Sequence, residues 1–263
     1  MLSRSSASTH PQWQQWVDAL TQSGIAHAAQ EVQNILESGL PVQAAVDRRC
    51  RREPLAYIVG WQPFYHRRFS VNRSTLVPRP ETEHLMQALL MKIKKTPAAH
   101  IVDCGTGCGA IAITLKAEIP TLTIIATDIN ESTLAIAREN AVANRAVVDF
   151  RLGNLLEPVA ADRVDGIIAN LPYLPTSWNG ALEPELSYEP EIALFAGNDG
   201  LDAVRLFVDQ LGARLWPLPW VVLELLPEQV PIVSNLLKNA IGGGITTLLD
   251  LSGAERFILW DHE

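Results

Sequence analysis

The sequence predicts an α/β fold in which a mostly parallel β-sheet is covered by helices on both faces. From His100 onwards, short apolar runs alternate with amphipathic helical patterns, and this alternation is typical of parallel strands joined by crossover helices. Residues 10–50 carry helical patterns alone, which adds a small helical part in front of the sheet. Residues 61–77 place aromatic and β-branched side chains in rough alternation around turn formers, and this pattern predicts a β-hairpin.

The helical front begins with Trp13, Trp16 and Leu20, which recur at helical spacing. A second apolar face follows and ends at Gly39, and a third helical stretch opens at Pro41. We therefore expect two or three short helices in this part of the chain.

The sheet is predicted from seven apolar runs. Before them, Pro78 and Pro80 stop any strand, and residues 81–95 form an amphipathic helical pattern with a basic end. The last two runs are joined by Ser252 and Gly253, as in an antiparallel hairpin. The predicted strands lie at 100–105, 122–128, 146–152, 164–170, 219–225, 245–251 and 255–260. The predicted helices between them lie at 108–120, 131–144, 201–215 and 228–241.

Composition and charge exclude several classes of protein. The 263 residues are 48% apolar and 19% charged, which is typical of a globular chain. Residues 1–100 carry a formal charge of +5 and residues 101–263 carry −13, and a diffusely acidic main body argues against general nucleic-acid binding. No apolar run is long enough to span a membrane, three cysteines are too few for a disulfide framework, and the first ten residues lack a secretory signal. We expect a cytoplasmic protein, or an organellar one if its source is eukaryotic, with no membrane and no stable nucleic-acid partner.

The first motif with chemical content is a glycine-rich turn after the first predicted strand of the sheet. Residues 103–109 are Asp-Cys-Gly-Thr-Gly-Cys-Gly, and glycine allows a tight turn and close approach of a ligand to the backbone. Asp128 ends the next strand, where a carboxylate can accept hydrogen bonds from both ribose hydroxyls of an adenosyl ligand. Together they predict an adenosine-bearing cofactor and leave NAD and S-adenosylmethionine open. We expect Cys104 and Cys108 to pack within this turn, and no metal site is predicted.

The second motif separates the two cofactors. The fourth predicted strand of the sheet ends in Asn170-Leu171-Pro172-Tyr173, which suits methyl transfer to a planar nitrogen. Such a nitrogen is a poor nucleophile because its lone pair is delocalised, so two acceptors aimed at its N–H bonds must hold its face toward the methyl group. The carboxamide oxygen of Asn170 and the carbonyl oxygen of Leu171 are the predicted acceptors. Pro172 stiffens the turn, and Tyr173 can lie against the flat group.

Further segments of the chain carry a family resemblance. They are Arg52–Gly60, Phe64, Phe69–Val71, Leu76–Glu83, Tyr188–Pro190, Ala193–Leu194, Gly197–Asp202 and Glu255–Phe257. With the two motifs, they make the chain similar from about Glu31 to Trp260 to the HemK/PrmC-type protein-(glutamine-N5) methyltransferases, which modify the Gly-Gly-Gln glutamine of peptide-chain release factors. The resemblance implies a helical substrate-docking domain, a β-hairpin linker and a seven-stranded, Rossmann-like methyltransferase sheet. These parts would span residues 1–60, 61–79 and 80–263.

The resemblance also implies a role for each matching residue. S-adenosylmethionine is the implied cofactor, with its methionine part on the glycine-rich turn, its ribose at Asp128 and its adenine edge at Asn154. The implied cofactor-binding residues are Asp103, Gly105, Thr106, Gly107, Cys108, Gly109, Asp128, Asn154 and Asn170. The implied catalytic residues are Asn170, Pro172 and Tyr173, and substrate binding adds Leu171, Pro78 and Arg79. The implied partner is a release factor as protein substrate, and we expect a monomer.

Three departures from the family pattern keep alternatives open. Position 171 is leucine where the family usually has proline, and Asn-Leu-Pro-Tyr also occurs in rRNA adenine dimethylases. Asn154 stands where the pattern has aspartate, and the helical front is short. The alternatives are N-methylation of an adenine in rRNA or another planar nitrogen, a non-catalytic cofactor-binding module, and a nicotinamide-dependent dehydrogenase. The segment from Pro78 to Thr82 and the acidic main body argue against the adenine substrate.

Overall fold

The computed structural model describes residues 10–96, 99–214, 217–250 and 252–262. The expectation that the first ten residues lack a secretory signal concerns mainly residues 1–9, which lie outside these ranges. The predicted helix end at 215 and the predicted strand end at 251 also lie outside them. Within the described ranges, no helix has both the length and the apolar content that crossing a membrane requires.

Four helices form the front of the described chain. They are α1 (Trp13–Gln22), α2 (Ala28–Ser38), α3 (Val42–Cys50) and α4 (Leu55–Val59). The first three confirm the helices predicted over residues 10–50, and α2 ends at Gly39 in the left-handed conformation. These helices pack around a core of their own, in which Leu20, Val32 and Ile35 are fully buried.

The predicted hairpin is present but shorter than the pattern that predicted it. Strands β1 (Trp61–Phe64) and β2 (Arg67–Ser70) pair in antiparallel register. Tyr65 and His66 form the two-residue turn, both at positive φ, as the twist of a tight hairpin requires. The buried side chains of Phe64 and Phe69 pack edge-to-face and join the core of the main sheet, so the hairpin is anchored to that sheet.

The main sheet has seven strands, and its first five strands in chain order run parallel to one another. They are β3 (His100–Cys104), β4 (Thr123–Asp128), β5 (Asp149–Leu152), β6 (Gly166–Ala169), β7 (Trp220–Glu224), β8 (Gly244–Leu249) and β9 (Glu255–Asp261). The spatial order is β5-β4-β3-β6-β7-β9-β8, and β9 is antiparallel to both β7 and β8. The predicted antiparallel hairpin at the end of the sheet is thus confirmed.

Helices cover both faces of this sheet, which confirms the α/β prediction. They are α5 (Pro80–Ile93), α6 (Ala110–Glu118), α7 (Glu131–Ala143), α8 (Glu191–Leu194), α9 (Asp202–Gly212) and α10 (Val230–Ile241). Apolar side chains of α5, α6 and α7 share one core with the hairpin, and those of α9 and α10 form a second core on the opposite face. Burial of apolar surface in these two layers stabilises the fold.

The strand order reverses between β3 and β6, and this reversal positions the functional residues. Cys104, the last paired residue of β3, is in register with the residues that precede Asp128 in β4 and Asn170 after β6. Gly105, Asp128 and Asn170 therefore stand side by side at the carboxyl edge of the sheet. Open α/β sheets bind ligands in the crevice at such a reversal point.

Candidate active site

Three glycines shape the turn between β3 and α6. Gly105, Gly107 and Gly109 have φ of +73°, +57° and +84°, a region that favours glycine. A Cβ on Gly109 would lie 2.6 Å from Cδ1 of Ile113, and one on Gly105 would lie 3.1 Å from Cδ2 of Leu171. A larger residue would therefore meet both backbone strain and close contacts, and the bare backbone keeps the turn tight.

Asp103 lies buried beneath this turn and holds it to α6. Its Oδ2 atom accepts hydrogen bonds from the Thr106 hydroxyl at 2.6 Å and from the backbone N–H of Ala112 at 3.1 Å. Burial raises the pKa of the Asp103 carboxyl to about 6. Burial also raises the pKa of the Cys108 thiol to about 12 and that of Cys104 even further, so both remain protonated at neutral pH and pack in the core.

Asp128 connects the end of β4 to the glycine-rich turn. Its Oδ2 atom accepts from the backbone N–H of Gly107 at 3.0 Å, and its Oδ1 atom accepts from that of Asn130 at 3.0 Å. Burial raises the pKa of Asp128 above its ordinary value. Each carboxylate oxygen keeps acceptor capacity beyond these bonds, which is available to ligand hydroxyls.

A cavity of about 380 Å³ opens at this edge of the sheet. It brings together most of the sequence-predicted site residues: Pro78, Arg79, Gly105, Thr106, Gly107, Cys108, Asp128, Asn154, Asn170, Leu171 and Pro172. Asp103 and Gly109 support the turn from behind and do not line the cavity. We call this space the first cavity.

Apolar side chains that the sequence analysis missed also line the first cavity. Ile129, Ile192 and Leu206 are 54%, 58% and 41% exposed, and Leu155 lies beside them in the cavity wall. Exposed apolar side chains gathered in a concave wall suit a flat apolar ligand group. The sequence feature that could have indicated this wall is the position of Ile129, an apolar residue directly after Asp128 at the end of β4.

Asn170 lines the first cavity and also a second, adjoining cavity of about 250 Å³. Its Nδ2 atom donates a hydrogen bond to the Thr82 hydroxyl oxygen at 3.3 Å. Within the described part of the chain, no donor bonds to Oδ1 of Asn170 or to the carbonyl oxygen of Leu171. The two acceptors predicted to bind a substrate amide are thus unpaired, and Asn170 borders both spaces.

Tyr173 lines the second cavity and not the first. Its hydroxyl donates to Oε1 of Glu224 at 3.4 Å, and the Thr82 hydroxyl donates to Oε2 of the same carboxylate at 2.8 Å. Burial raises the pKa of Glu224 to about 7, although Thr82 and Arg256 act in the opposite direction. The sequence analysis missed Glu224. The feature that could have indicated it is that Glu224 is the one acidic residue in the otherwise apolar strand β7.

The loop after Tyr173 contributes to the walls of both cavities. Gln229 holds its two ends together, because its Nε2 atom donates to the carbonyl oxygens of Tyr173 at 2.9 Å and Asp199 at 3.0 Å. A Cβ on Gly200, which has φ of +76°, would lie 2.1 Å from the Tyr173 oxygen. Only glycine fits there, and the loop therefore leaves and returns at one fixed point.

Ion pairs connect the same loop to the front of the chain. Glu185 pairs with Arg49 of α3 at 2.9 Å and with Arg52 at 2.8 Å. Glu189, which is buried, accepts from the backbone N–H of Val77 at 3.0 Å and pairs with Arg79 at 2.5 Å. The loop thus joins the front helices to the segment that lines the cavity mouth.

Comparison with known proteins decides the family. The model of the methyltransferase small domain matches residues 81–178. A release factor glutamine methyltransferase of Deinococcus radiodurans is 37% identical over 214 residues, which cover 81% of this chain and 76% of the relative. The chain belongs to the release factor glutamine methyltransferase family. Another member, from Cereibacter sphaeroides, is 40% identical over 227 residues, which cover 84% of this chain and 79% of the relative.

Solved structures show that the fold of this family member is that of a methyltransferase. The hMettl16 catalytic domain, in complex with the MAT2A 3'UTR hairpin 6, aligns with a TM-score of 0.58 at 16% identity over 74% of this chain and 75% of that chain. The 16S rRNA N2 G1207 methyltransferase of T. thermophilus, in complex with AdoMet and guanosine, aligns with a TM-score of 0.54 at 18% identity over 77% of this chain and 50% of that chain. The left-handed glycines, Asp128 and the apolar wall of the first cavity fit an adenosine-bearing ligand such as the AdoMet of that complex.

Proposed function

We propose that this protein methylates the side-chain amide nitrogen of a glutamine in a peptide-chain release factor, with S-adenosylmethionine as methyl donor. One observation carries the proposal: Asn170 borders both cavities, and no donor among the described residues bonds to its carboxamide oxygen. A side chain in that position can hold an amide from the second cavity against a cofactor in the first. The membership of the chain in the release factor glutamine methyltransferase family supports the choice of substrate.

The first cavity would hold the cofactor. When bound there, S-adenosylmethionine supplies an electrophilic methyl group on a positively charged sulfur. The glycine-rich turn offers backbone at close range to its methionine part, and Asp128 offers acceptors to its ribose hydroxyls. Ile129, Leu155 and Leu206 provide apolar surface for the adenine ring, and Asn154 borders the same space.

The second cavity would hold the glutamine side chain. Oδ1 of Asn170 and the carbonyl oxygen of Leu171 would each accept one N–H of the substrate amide and so keep its face toward the methyl group. Tyr173 would lie against the flat amide. As the nitrogen gains a methyl group it develops positive charge, and each acceptor bond then contributes about 1.5–3 kcal/mol. The methylated nitrogen then releases one of its two protons to water, which leaves the neutral N-methyl amide. Orientation of the two reactants adds up to about 7–11 kcal/mol in the best cases.

The front of the chain would dock the protein substrate. We assign residues 1–60 to a helical docking domain, 61–79 to a hairpin linker and 80–263 to the methyltransferase domain. The ion pairs of Glu185 with Arg49 and Arg52 support a fixed relation between the front helices and the loop beside the second cavity. A docked release factor would thus meet a preformed entrance to the site.

Transfer of a labelled methyl group tests this function. The purified protein is incubated with labelled S-adenosylmethionine and, in separate reactions, with rRNA, with a release factor carrying Gly-Gly-Gln, or with a release factor in which that glutamine is replaced by alanine. We expect label only in the release factor with glutamine, at the side-chain nitrogen by mass spectrometry. Label in rRNA, or in neither substrate, would show that the assignment is wrong.

A further inference from the structure

A buried hydrogen-bonded pair lies behind Asn170. Thr82, in the first turn of α5, is 4% exposed, and Glu224, at the end of β7, is 2% exposed. The Thr82 hydroxyl donates to Oε2 of Glu224 at 2.8 Å, and the same hydroxyl oxygen accepts from Nδ2 of Asn170 at 3.3 Å. The three groups form a chain from a buried carboxylate to the carboxamide that borders both cavities.

The direction of these hydrogen bonds decides which end of the Asn170 amide meets the substrate. A hydroxyl has one proton and two lone pairs, whereas an ionised carboxylate can only accept. The Thr82 hydroxyl therefore donates its one hydrogen bond to Glu224, and its oxygen keeps a lone pair as acceptor for Asn170. Asn170 must then direct its NH₂ group at Thr82. Oδ1 of Asn170 is turned away from Thr82, to a side where no donor among the described residues bonds to it.

We propose that Thr82 and Glu224 are positioning residues that hold the Asn170 carboxamide in the orientation that accepts the substrate N–H. This inference rests on the proposed function and specifies how the acceptor site is built. A reversed carboxamide would place an NH₂ group against the NH₂ group of the substrate and leave both without an acceptor. The Tyr173 hydroxyl bonds to the other oxygen of Glu224, so one carboxylate orients two walls of the second cavity.

The ionisation of Glu224 makes the effect of the pair on activity depend on pH, which a role in packing alone would not do. Tyr173, Arg256 and Glu81 face its carboxyl, and Arg79 lines the same cavity. When Glu224 is protonated, it can donate a hydrogen bond to the Thr82 oxygen, and the Thr82 hydroxyl can then donate to Asn170. The Asn170 carboxamide would have to rotate so that its oxygen accepts this bond. Since burial raises the pKa of Glu224 to about 7, kcat/KM of the wild type should fall as pH decreases below about 7. Glu224→Gln should lack this decline.

Two substitutions of Thr82 separate hydrogen bonding from packing. Thr82→Val keeps the shape of the side chain and removes the hydroxyl, so we expect kcat/KM at pH 8 to fall about tenfold, as for one lost hydrogen bond. Thr82→Ser keeps the hydroxyl and should stay within about threefold of wild type, with unchanged cofactor Kd in both variants. Thr114→Val is the matched control, because Oγ1 of this buried threonine has no hydrogen-bond partner among the described residues, and its activity should not change. Equal activity of the valine and serine variants of Thr82 would overturn the inference.

A second measurement decides the inference without the methyl acceptor. The side-chain amide signals of Asn170, assigned by their loss in Asn170→Asp, report its hydrogen bond to Thr82 in a ¹⁵N–¹H NMR spectrum. We expect Thr82→Val to shift these signals and Thr82→Ser to leave them near the wild-type position. If the wild type labels no release factor, the proposed function fails, and the amide spectrum still tests the pair. Unshifted Asn170 signals in Thr82→Val would overturn it.

Discussion

Asn170 borders both cavities, and no donor in the described chain bonds to its carboxamide oxygen. No other asparagine of the described chain has both properties. We expect Asn170→Ala to lower kcat at least 100-fold, because loss of one transition-state acceptor has effects of this size. The Kd for S-adenosylmethionine should stay within about threefold, as measured by calorimetry. Asn239→Ala, on the exposed side of α10, is the matched control. Retained turnover in Asn170→Ala would remove the central acceptor from the mechanism.

Asp128 is the residue that the proposed cofactor site depends on most. We expect Asp128→Ala to raise the Kd for S-adenosylmethionine about 10- to 100-fold, because hydrogen bonds to a charged acceptor contribute about 1.5–3 kcal/mol. Titration calorimetry measures this change directly. Asp149→Ala, at the exposed start of β5, should bind the cofactor like wild type. An unchanged Kd in Asp128→Ala would exclude the assigned ribose contact.

The sequence was informative about strands and helices wherever a local pattern determines the structure. The apolar runs located all seven strands, and they were clearest for β3, β4, β6 and β7, which are almost wholly buried. The run at 146–152 began three residues too early, since β5 comprises only Asp149–Leu152 at an edge of the sheet, with Leu152 54% exposed. The turn at Tyr65 and His66 carries no glycine although both residues have positive φ, so its residue types did not mark the strand ends.

The loop between Tyr173 and Gly200 is the element whose conformation depends on one distant side chain. Gln229 binds both of its ends and also accepts from the backbone N–H of Leu226 at 3.1 Å. Gln229→Leu leaves these buried groups unpaired, and we expect the free energy of unfolding to fall by about 2–4 kcal/mol. Hydrogen exchange should increase most in residues 174–199. The control, Gln30→Leu on the exposed face of α2, should change neither quantity, and uniform exchange in Gln229→Leu would exclude a specific role in the loop.

The acceptor site joins residues from distant parts of the chain, which no local sequence pattern could connect. Thr82 is 88 positions from Asn170 and 142 positions from Glu224, and the three meet because α5 packs beside the carboxyl ends of β6 and β7. The motif at 170–173 indicated the acceptor, but its orientation depends on a carboxylate at the end of the next strand, after α8 and α9. Sequence reasoning therefore found the groups that touch ligands more readily than the groups that orient them.

The same carboxylate links activity to global stability. The pKa of Glu224 rises from its ordinary 4.5 to about 7 in the folded protein, so the folded state binds more protons than the unfolded chain between these pH values. Its contribution to stability is therefore lost as pH rises through this window, and the rise corresponds to roughly 3 kcal/mol. Glutamine at this position carries no charge and should avoid that loss.

We accordingly expect Glu224→Gln to be more stable than wild type by roughly 3 kcal/mol above pH 7.5, and by little or nothing near pH 4.5. Urea unfolding at a series of pH values measures the difference. Because the wild type and Glu224→Gln are compared at each pH, other titrating groups such as Asp103 affect the stability of both proteins alike. The stabilised variant should also be the less active one at pH 8, since it lacks the charge that fixes the Thr82 proton. A stability difference independent of pH would show that the pKa of Glu224 is the same in the folded and the unfolded protein.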